Sequence, residues 1–102
     1  MARFDVYRNP RRSAAQAPYL LDVQCDWVRT DLRVVVPLVR ADYHGPPMKR
    51  LNPVVEIDGQ TLVMSPTEIG SLPEGQLGRP VTSLAARRDQ FVAALDFLFQ
   101  GY

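Results

Sequence analysis

The chain has 102 residues, 46% of them hydrophobic, a net charge of +1 and a single cysteine. That length suits one globular domain spanning residues 1–102, able to bury about two thirds of its unfolded surface. The near-neutral balance gives no case for a nucleic-acid binder, and a lone Cys25 excludes an internal disulfide and a cysteine-built metal site, which makes a reducing cytoplasm the expected compartment. Eleven of the twelve cationic side chains are arginine, the residue suited to planar, bidentate pairing with carboxylates. Arg3, Arg8, Arg11 and Arg12 make the start basic, but Ser13 to Pro18 offer no apolar targeting core, and no run approaches the ~20 apolar residues of a membrane span.

Phe4-Asp5-Val6-Tyr7 alternates apolar and polar and reads as a short first strand. Residues 8–18 are rich in turn formers and lack large apolar side chains, so they predict an exposed, mobile loop. Tyr19 to Gln24 resumes a strand pattern with Leu21 and Val23 on one face and Leu20 and Asp22 on the other; Trp27 comes at once after it. Arg33 to Leu38 predicts a third strand, with Pro37 on an edge or at a bulge because it gives no N–H to a ladder. Val54 to Ile57 and Thr61 to Met64 flank Asp58-Gly59, a dipeptide that takes the positive φ angles of a tight turn, and together predict a β-hairpin. Ser65-Pro66-Thr67-Glu68 has the form of a capping box opening a short helical turn through Ile69. Gly70, Pro73 and Gly75 end it. Leu77 to Val81 reads as a loop or brief edge strand, and Thr82 or Ser83 can cap the final helix.

Arg87 to Tyr102 reads as that helix, amphipathic along its length. Phe91, Val92, Leu95, Leu98 and Phe99 have i, i+3, i+4, i+7 spacing and should form the stripe that closes the core. Phe97 falls roughly 120° off that stripe at 100° per residue, beside Ala93 and Ala94, where a monomer would expose it as a partner surface. Gly101 ends the helix and leaves Tyr102 as an aromatic carrying the terminal carboxylate. Antiparallel strands with one terminal helix predict a mainly β, small barrel-like α+β domain.

Catalytic chemistry is hard to find in these residues. His44 lies in a Gly-Pro-Pro loop without a ligand-spaced partner, and Cys25 has no base beside it in sequence. There is no phosphate loop, dinucleotide fingerprint or serine elbow. Asp22, Asp26 and Asp31 sit among turn-prone residues, where solvated carboxylates are the expectation. The residues read as a non-enzymatic binding domain with no cofactor.

Phe4-Asp5-Val6-Tyr7, Asp22-Val23-Gln24, Val36-Pro37-Leu38, the block Leu51 to Ile57, Leu72-Pro73 and the terminal Phe99-Gln100-Gly101-Tyr102 resemble, in order and spacing, the CcdB family of toxins over nearly the whole chain. The resemblance implies a homodimer with an SH3-like antiparallel barrel and a C-terminal helix; the off-stripe Ala93 and Phe97 are then the expected dimer contacts. It implies a toxin that binds the A subunit of DNA gyrase and traps the enzyme on cleaved DNA. It also implies a CcdA-like antitoxin whose flexible C-terminal segment wraps the toxin, the pair together repressing their own operon, so that operator DNA is met only through the antitoxin complex. The gyrase-contacting surface carries over to Leu20, Cys25, Trp27, Val28, Asp96, Gln100, Gly101 and Tyr102. The departure is Gln100, where the family's best-known member, ending Trp-Gly-Ile, stacks a tryptophan on a gyrase arginine; Trp27 and Tyr102 are aromatics that could meet the same guanidinium instead. For the antitoxin, the cations Arg8, Arg11 and Arg12 on the first loop suit an acidic, disordered peptide. An antitoxin-binding regulatory homologue that no longer seizes gyrase is the alternative within this resemblance. An mRNA endonuclease is the alternative outside it, though no His, Asp and Arg set stands out by position.

Overall fold

The computed structural model describes residues 1–102. Asp58 and Gly59 take φ angles of 51° and 76°, the consecutive left-handed pair that a two-residue hairpin turn with the twist of its strands requires. They join β4 (Val54–Ile57) to β5 (Gln60–Met64), pairing Ile57 with Gln60 through to Val54 with Val63. Met64 donates its N–H to the Pro53 carbonyl at 2.9 Å, carrying the ladder one residue further.

The sheet is organised on β3, the nine residues Leu32–Arg40, not on an edge. One side of β3 pairs with β2 (Tyr19–Asp22), which pairs in turn with β1 (Asp5–Arg8), and β1 with β7 (Thr82–Ser83). The other side is divided: residues 32–35 pair with β6 (Gly70–Pro73) and residues 38–40 with β5. Every pairing is antiparallel, giving seven strands. Pro37 therefore lies in the central strand, contrary to the edge or bulge expected from its chemistry. It is tolerated because it faces the fork. Its carbonyl accepts the Ser65 N–H at 3.1 Å on the side where β6 has ended and β5 begins, and in an antiparallel strand a residue's N and C=O point the same way, so the missing donor falls in the gap.

The strand β6 is not predicted from sequence, because Gly70 and Pro73 read as breakers. Its pairing with β3 supplies what its propensity lacks. The preceding residues Pro66–Glu68 form a single 3₁₀ turn in which Ser65 Oγ donates to Glu68 Oε2 at 2.7 Å, so the two capping-box side chains bond one another instead of the backbone. Two further short elements, the one-turn helix α1 (Ala41–His44) and a 3₁₀ turn at Glu74–Gln76, complete the connections. The last of the 3₁₀ turns, Ala85–Arg87, leads into the terminal helix; Ser83 Oγ accepts the Ala85 N–H there at 3.2 Å.

Both faces of the sheet are covered. On the first, Val6, Tyr19, Leu21, Val23, Val36 and Leu38 pack with hairpin residues beneath α2 (Arg88–Gln100), whose Phe91 and Ala94 are fully buried. Phe4 joins them with φ of 70°, an uncommon angle for a bulky residue, and sets its ring 5.4 Å from that of Phe91; the first strand accordingly starts at Asp5. On the second face, the alternate residues Tyr7, Leu20, Val35 and Leu72 pack with Leu77. The period-two assignment of Leu20 and Leu21 to opposite faces holds, but neither face is left to water.

The helix stripe is narrower than its periodicity predicts. Phe91 and Ala94 are its buried centre, Val92 and Leu95 pack against the core from its margin, and Phe99 is 68% exposed. In the last turn Phe97 and Leu98 are half-buried and Phe99 is left to solvent. Phe97, expected to be the exposed ring, is half-buried with the Arg50 guanidinium 4.9 Å from its centroid.

Candidate partner-binding surfaces

The first surface is the loop between β2 and β3. Gln24, buried at its base, uses both ends of its amide: Nε2 donates to the Val28 carbonyl at 2.9 Å and Oε1 accepts the Val34 N–H at 2.9 Å. Beyond it every residue from Cys25 to Asp31 is exposed, with Trp27 at 88%. Cys25, Asp26 and Trp27 line a groove of about 430 Å³ with Arg3, Ala85 and Arg88, so the tryptophan stands beside the start of α2. Arg3 is fixed there, its N–H donating to Asp26 Oδ1 at 2.9 Å and its Nε to the Val23 carbonyl at 3.0 Å.

The second surface is the other end of α2. Gly101, at φ of 81°, is the left-handed exit from the helix, its N–H donating to the Phe97 carbonyl. Asp96, Gln100 and Tyr102 are exposed, Gln100 Nε2 reaching Asp96 Oδ1 at 3.5 Å. Arg88 and Gln100 are separated by roughly 18 Å of helix at 1.5 Å per residue. Trp27 and Tyr102 therefore lie at opposite ends of the helix, and within one copy of the chain they do not converge on one guanidinium.

The remaining residues expected on the gyrase face are divided. Val28 is exposed beside Trp27. Leu20 is 6% exposed, near the start of β2 and away from the Trp27 loop at its end; it belongs to the apolar cluster and to the floor of a small cavity under Arg11. It supports a surface and does not present one. Ala93 is exposed on α2, one turn before Phe97.

The third surface is the loop 9–18, which is not the open, mobile segment its composition suggests. Asn9 is buried inside it; Nδ2 donates to Ser13 Oγ at 3.0 Å and to the Ala17 carbonyl at 2.8 Å, while Oδ1 accepts the Arg11 N–H at 2.9 Å. Residues Arg12–Ala15 form a 3₁₀ turn on this scaffold. The loop is also tied to β3, since the Arg40 N–H donates to the Gln16 carbonyl at 2.8 Å and Arg40 Nη1 to the Ala15 carbonyl at 3.0 Å. Arg11 and Arg12 are exposed on it, and Arg11 donates Nη2 to the Ser71 carbonyl of β6 at 3.1 Å; Arg8, expected on the same loop, is instead the exposed last residue of β1, paired with Tyr19.

One charged pair departs from expectation. Asp22, expected in water, is fully buried, and its Oδ2 accepts Arg33 Nη2 at 2.6 Å and Nε at 2.9 Å, with Oδ1 accepting the Gln24 N–H at 3.0 Å. Burial pushes its carboxyl above the usual value despite the Gln24 N–H and the Arg33 guanidinium, which pull the other way. Nearby Tyr7 is pushed up to about 12 by burial and by the charges of Asp5 and Asp22, and its buried hydroxyl has no hydrogen-bond partner. The sequence does carry a signal: Asp22 and Arg33 are single charges inside apolar runs, where a strand buried on both faces must pair them. The set is closed by its own hydrogen bonds. Elsewhere His44 Nδ1 meets only the Gly45 carbonyl, at 3.3 Å, no group of three or more metal-ligating side chains converges, and no helix is long and apolar enough to cross a membrane. Compared with models of known families, the chain matches over residues 3–101 the one described as CcdB protein.

Proposed function

The chain belongs to the CcdB family, toxins of toxin–antitoxin pairs, and from that premise we propose that it acts in the cytoplasm without catalysis, binding the A subunit of DNA gyrase and trapping the enzyme on cleaved DNA. The observation that carries this reading is Trp27: an indole 88% exposed, on a loop it does nothing to hold together. An aromatic in that state is available to a partner's guanidinium, a contact of about 1–2 kcal/mol once desolvated. Cys25, Val28 and Arg88 frame the ring; Asp96, Gln100, Gly101 and Tyr102 contact the partner from the far end of α2. Because the two ends are far apart, the partner is met by both ends of the helix or by two copies of the chain. Such a homodimer buries Ala93 and the half-covered Phe97, which lie one turn apart on the same side of α2. Antitoxin binding falls to Arg11 and Arg12 on the loop after β1 and to Arg8 at the end of that strand, and operator DNA is met only through that complex.

Cleavage-complex formation with purified gyrase tests the reading. The wild-type chain traps gyrase; Trp27→Ala weakens trapping about tenfold, the loss of roughly 1.4 kcal/mol; Gln100→Trp strengthens it by a similar factor; and deletion of Gly101 and Tyr102 abolishes it. If neither the wild type nor Gln100→Trp traps gyrase while both bind antitoxin, the poison reading fails and the chain is a regulatory partner alone.

A further inference from the structure

The outer edge of β6 is open, and its register shows which groups it offers. Glu74 donates its N–H to the Asp31 carbonyl at 2.8 Å, so Asp31 and Glu74 are a bonding pair. Bonding and non-bonding pairs alternate along an antiparallel ladder. Arg33 with Leu72 and Val35 with Gly70 therefore bond, and Val34 with Ser71 does not. Val34 supports this assignment from the other side, since its N–H and C=O are both spent towards β2, on Gln24 Oε1 and the Val23 N–H. The Ser71 N–H and C=O consequently point away from the sheet, on an exposed residue. Arg11 lies across them, its guanidinium on the Ser71 carbonyl at 3.1 Å. A charged side chain laid over a free edge is a common guard against unwanted strand pairing.

We infer that β6 is the strand to which an acidic antitoxin segment adds itself, displacing Arg11 from Ser71. The inference rests on the antitoxin reading above and specifies its geometry. An added strand exchanges two backbone hydrogen bonds with Ser71. The displaced guanidinium exchanges a neutral carbonyl for a carboxylate of the incoming chain, a charge-assisted bond roughly twice as strong. Charge favours an acidic occupant at the edge itself, because Arg12 follows Arg11 on the loop and the Arg11 guanidinium is held by a neutral carbonyl, while Glu68, across the neighbouring cavity, accepts a hydrogen bond from Ser65. Beside the edge lies a cavity of about 150 Å³ lined by Leu20, Val35 and Pro37 on one part and by Asn9, Arg11, Ser13, Glu68 and Gly70 on the rest. It receives one apolar side chain of the segment. The occupant is thus an extended peptide with a carboxylate for Arg11 and an aliphatic residue next to it.

Ser71→Pro separates this account from simple charge attraction. The substitution removes a donor that points outward, and proline is tolerated on such an edge, so the free protein keeps its thermal midpoint while the dissociation constant for the full-length cognate antitoxin rises at least tenfold. Arg11→Ala weakens the complex and flattens its salt dependence. In the wild type, the Ser71 amide exchanges rapidly when free and becomes protected in the complex, a measurement that stands even if Ser71→Pro impairs folding. Unchanged affinity of a folded Ser71→Pro variant, or a Ser71 amide that stays unprotected in the complex, overturns strand addition and leaves the antitoxin reading intact. No complex with the wild-type chain overturns that reading itself, and strand addition with it.

Discussion

Residues 9–18 and 25–31 are both polar, turn-rich connections at opposite ends of β2, and they are held in opposite ways. Asn9 sits inside its loop and ties three points of it together. Gln24 sits at the foot of its loop, holds Val28 and the start of β3, and leaves the tip outside. The first loop is thereby a platform tied together from within; the second is pinned at Asp26, Val28 and Asp31 by neighbouring elements and leaves the tryptophan ring between them outside. One buried amide, placed within a loop or below it, decides which of the two results. A platform suits recognition by a partner that orders itself on binding, whereas a free tip suits a partner whose own shape is fixed.

Both loops lose their footing together at the strand they share. Arg33→Met leaves the Asp22 carboxylate buried without its counter-charge and should cost about 3–5 kcal/mol, read as a fall in the chemical-denaturation midpoint; Asp22→Leu with Arg33→Met, which removes both charges, should recover most of it. A single variant as stable as the wild type would show that water reaches the pair. Asn9→Ala acts on one loop alone. It should cost about 2 kcal/mol by orphaning buried polar groups and open residues 9–18 to proteolysis without changing cleavage at 25–31; equal cutting of both loops would refute the platform description. Phe97→Arg, which sets a second guanidinium against Arg50, should shift sedimentation from dimer towards monomer, and an unchanged dimer would place the interface elsewhere. Trp27→Ala should be the quietest in stability, within about 0.5 kcal/mol as expected of a surface position, so that its loss of gyrase trapping is a loss of contact alone.

The buried pair also has a pH signature. Because burial raises the Asp22 carboxyl above 3.8, the folded chain holds that proton more tightly than the unfolded chain. The associated stability is complete below the unfolded value and is lost as pH rises through the folded one. A carboxyl-carbon NMR titration should place the Asp22 midpoint above 3.8, and a lower midpoint would mean that Arg33 outweighs desolvation.

What the sequence made legible was what is decided locally. The Asp58-Gly59 hairpin, the glycine exit at Gly101 and the opposed faces of Leu20 and Leu21 arise from φ preferences and a period of two. What it hid was decided at a distance. β6 has a glycine and a proline at its ends and exists because residues 32–35 of β3 offer it a ladder. Asp22 is buried because Arg33, eleven residues away, is there to meet it. Phe99 fits a helical stripe yet is exposed in the structure, because the core ends at Phe91 and Ala94 with only Val92 and Leu95 at its margin. Of the expected contact residues, Leu20 has the right chemistry and the wrong depth, while Trp27 and Tyr102 are both available but at separate ends of α2.

The fork at Pro37 sets an order of events when the chain folds. The hairpin of β4 and β5 closes a loop of two residues and can form alone, then docks on the second half of β3 through Val39 and Val63. The first half is met by β6, which joins Arg33 to Leu72 across a moderately longer span of chain than that from Val39 to Val63 and so carries a slightly larger closure entropy. Contacts on the Val39 branch should therefore be formed early and govern the folding rate. Contacts at Leu72 should form late and govern how long the native state survives once made. A single proline, facing neither partner, divides one strand into a half that starts the fold and a half that locks it.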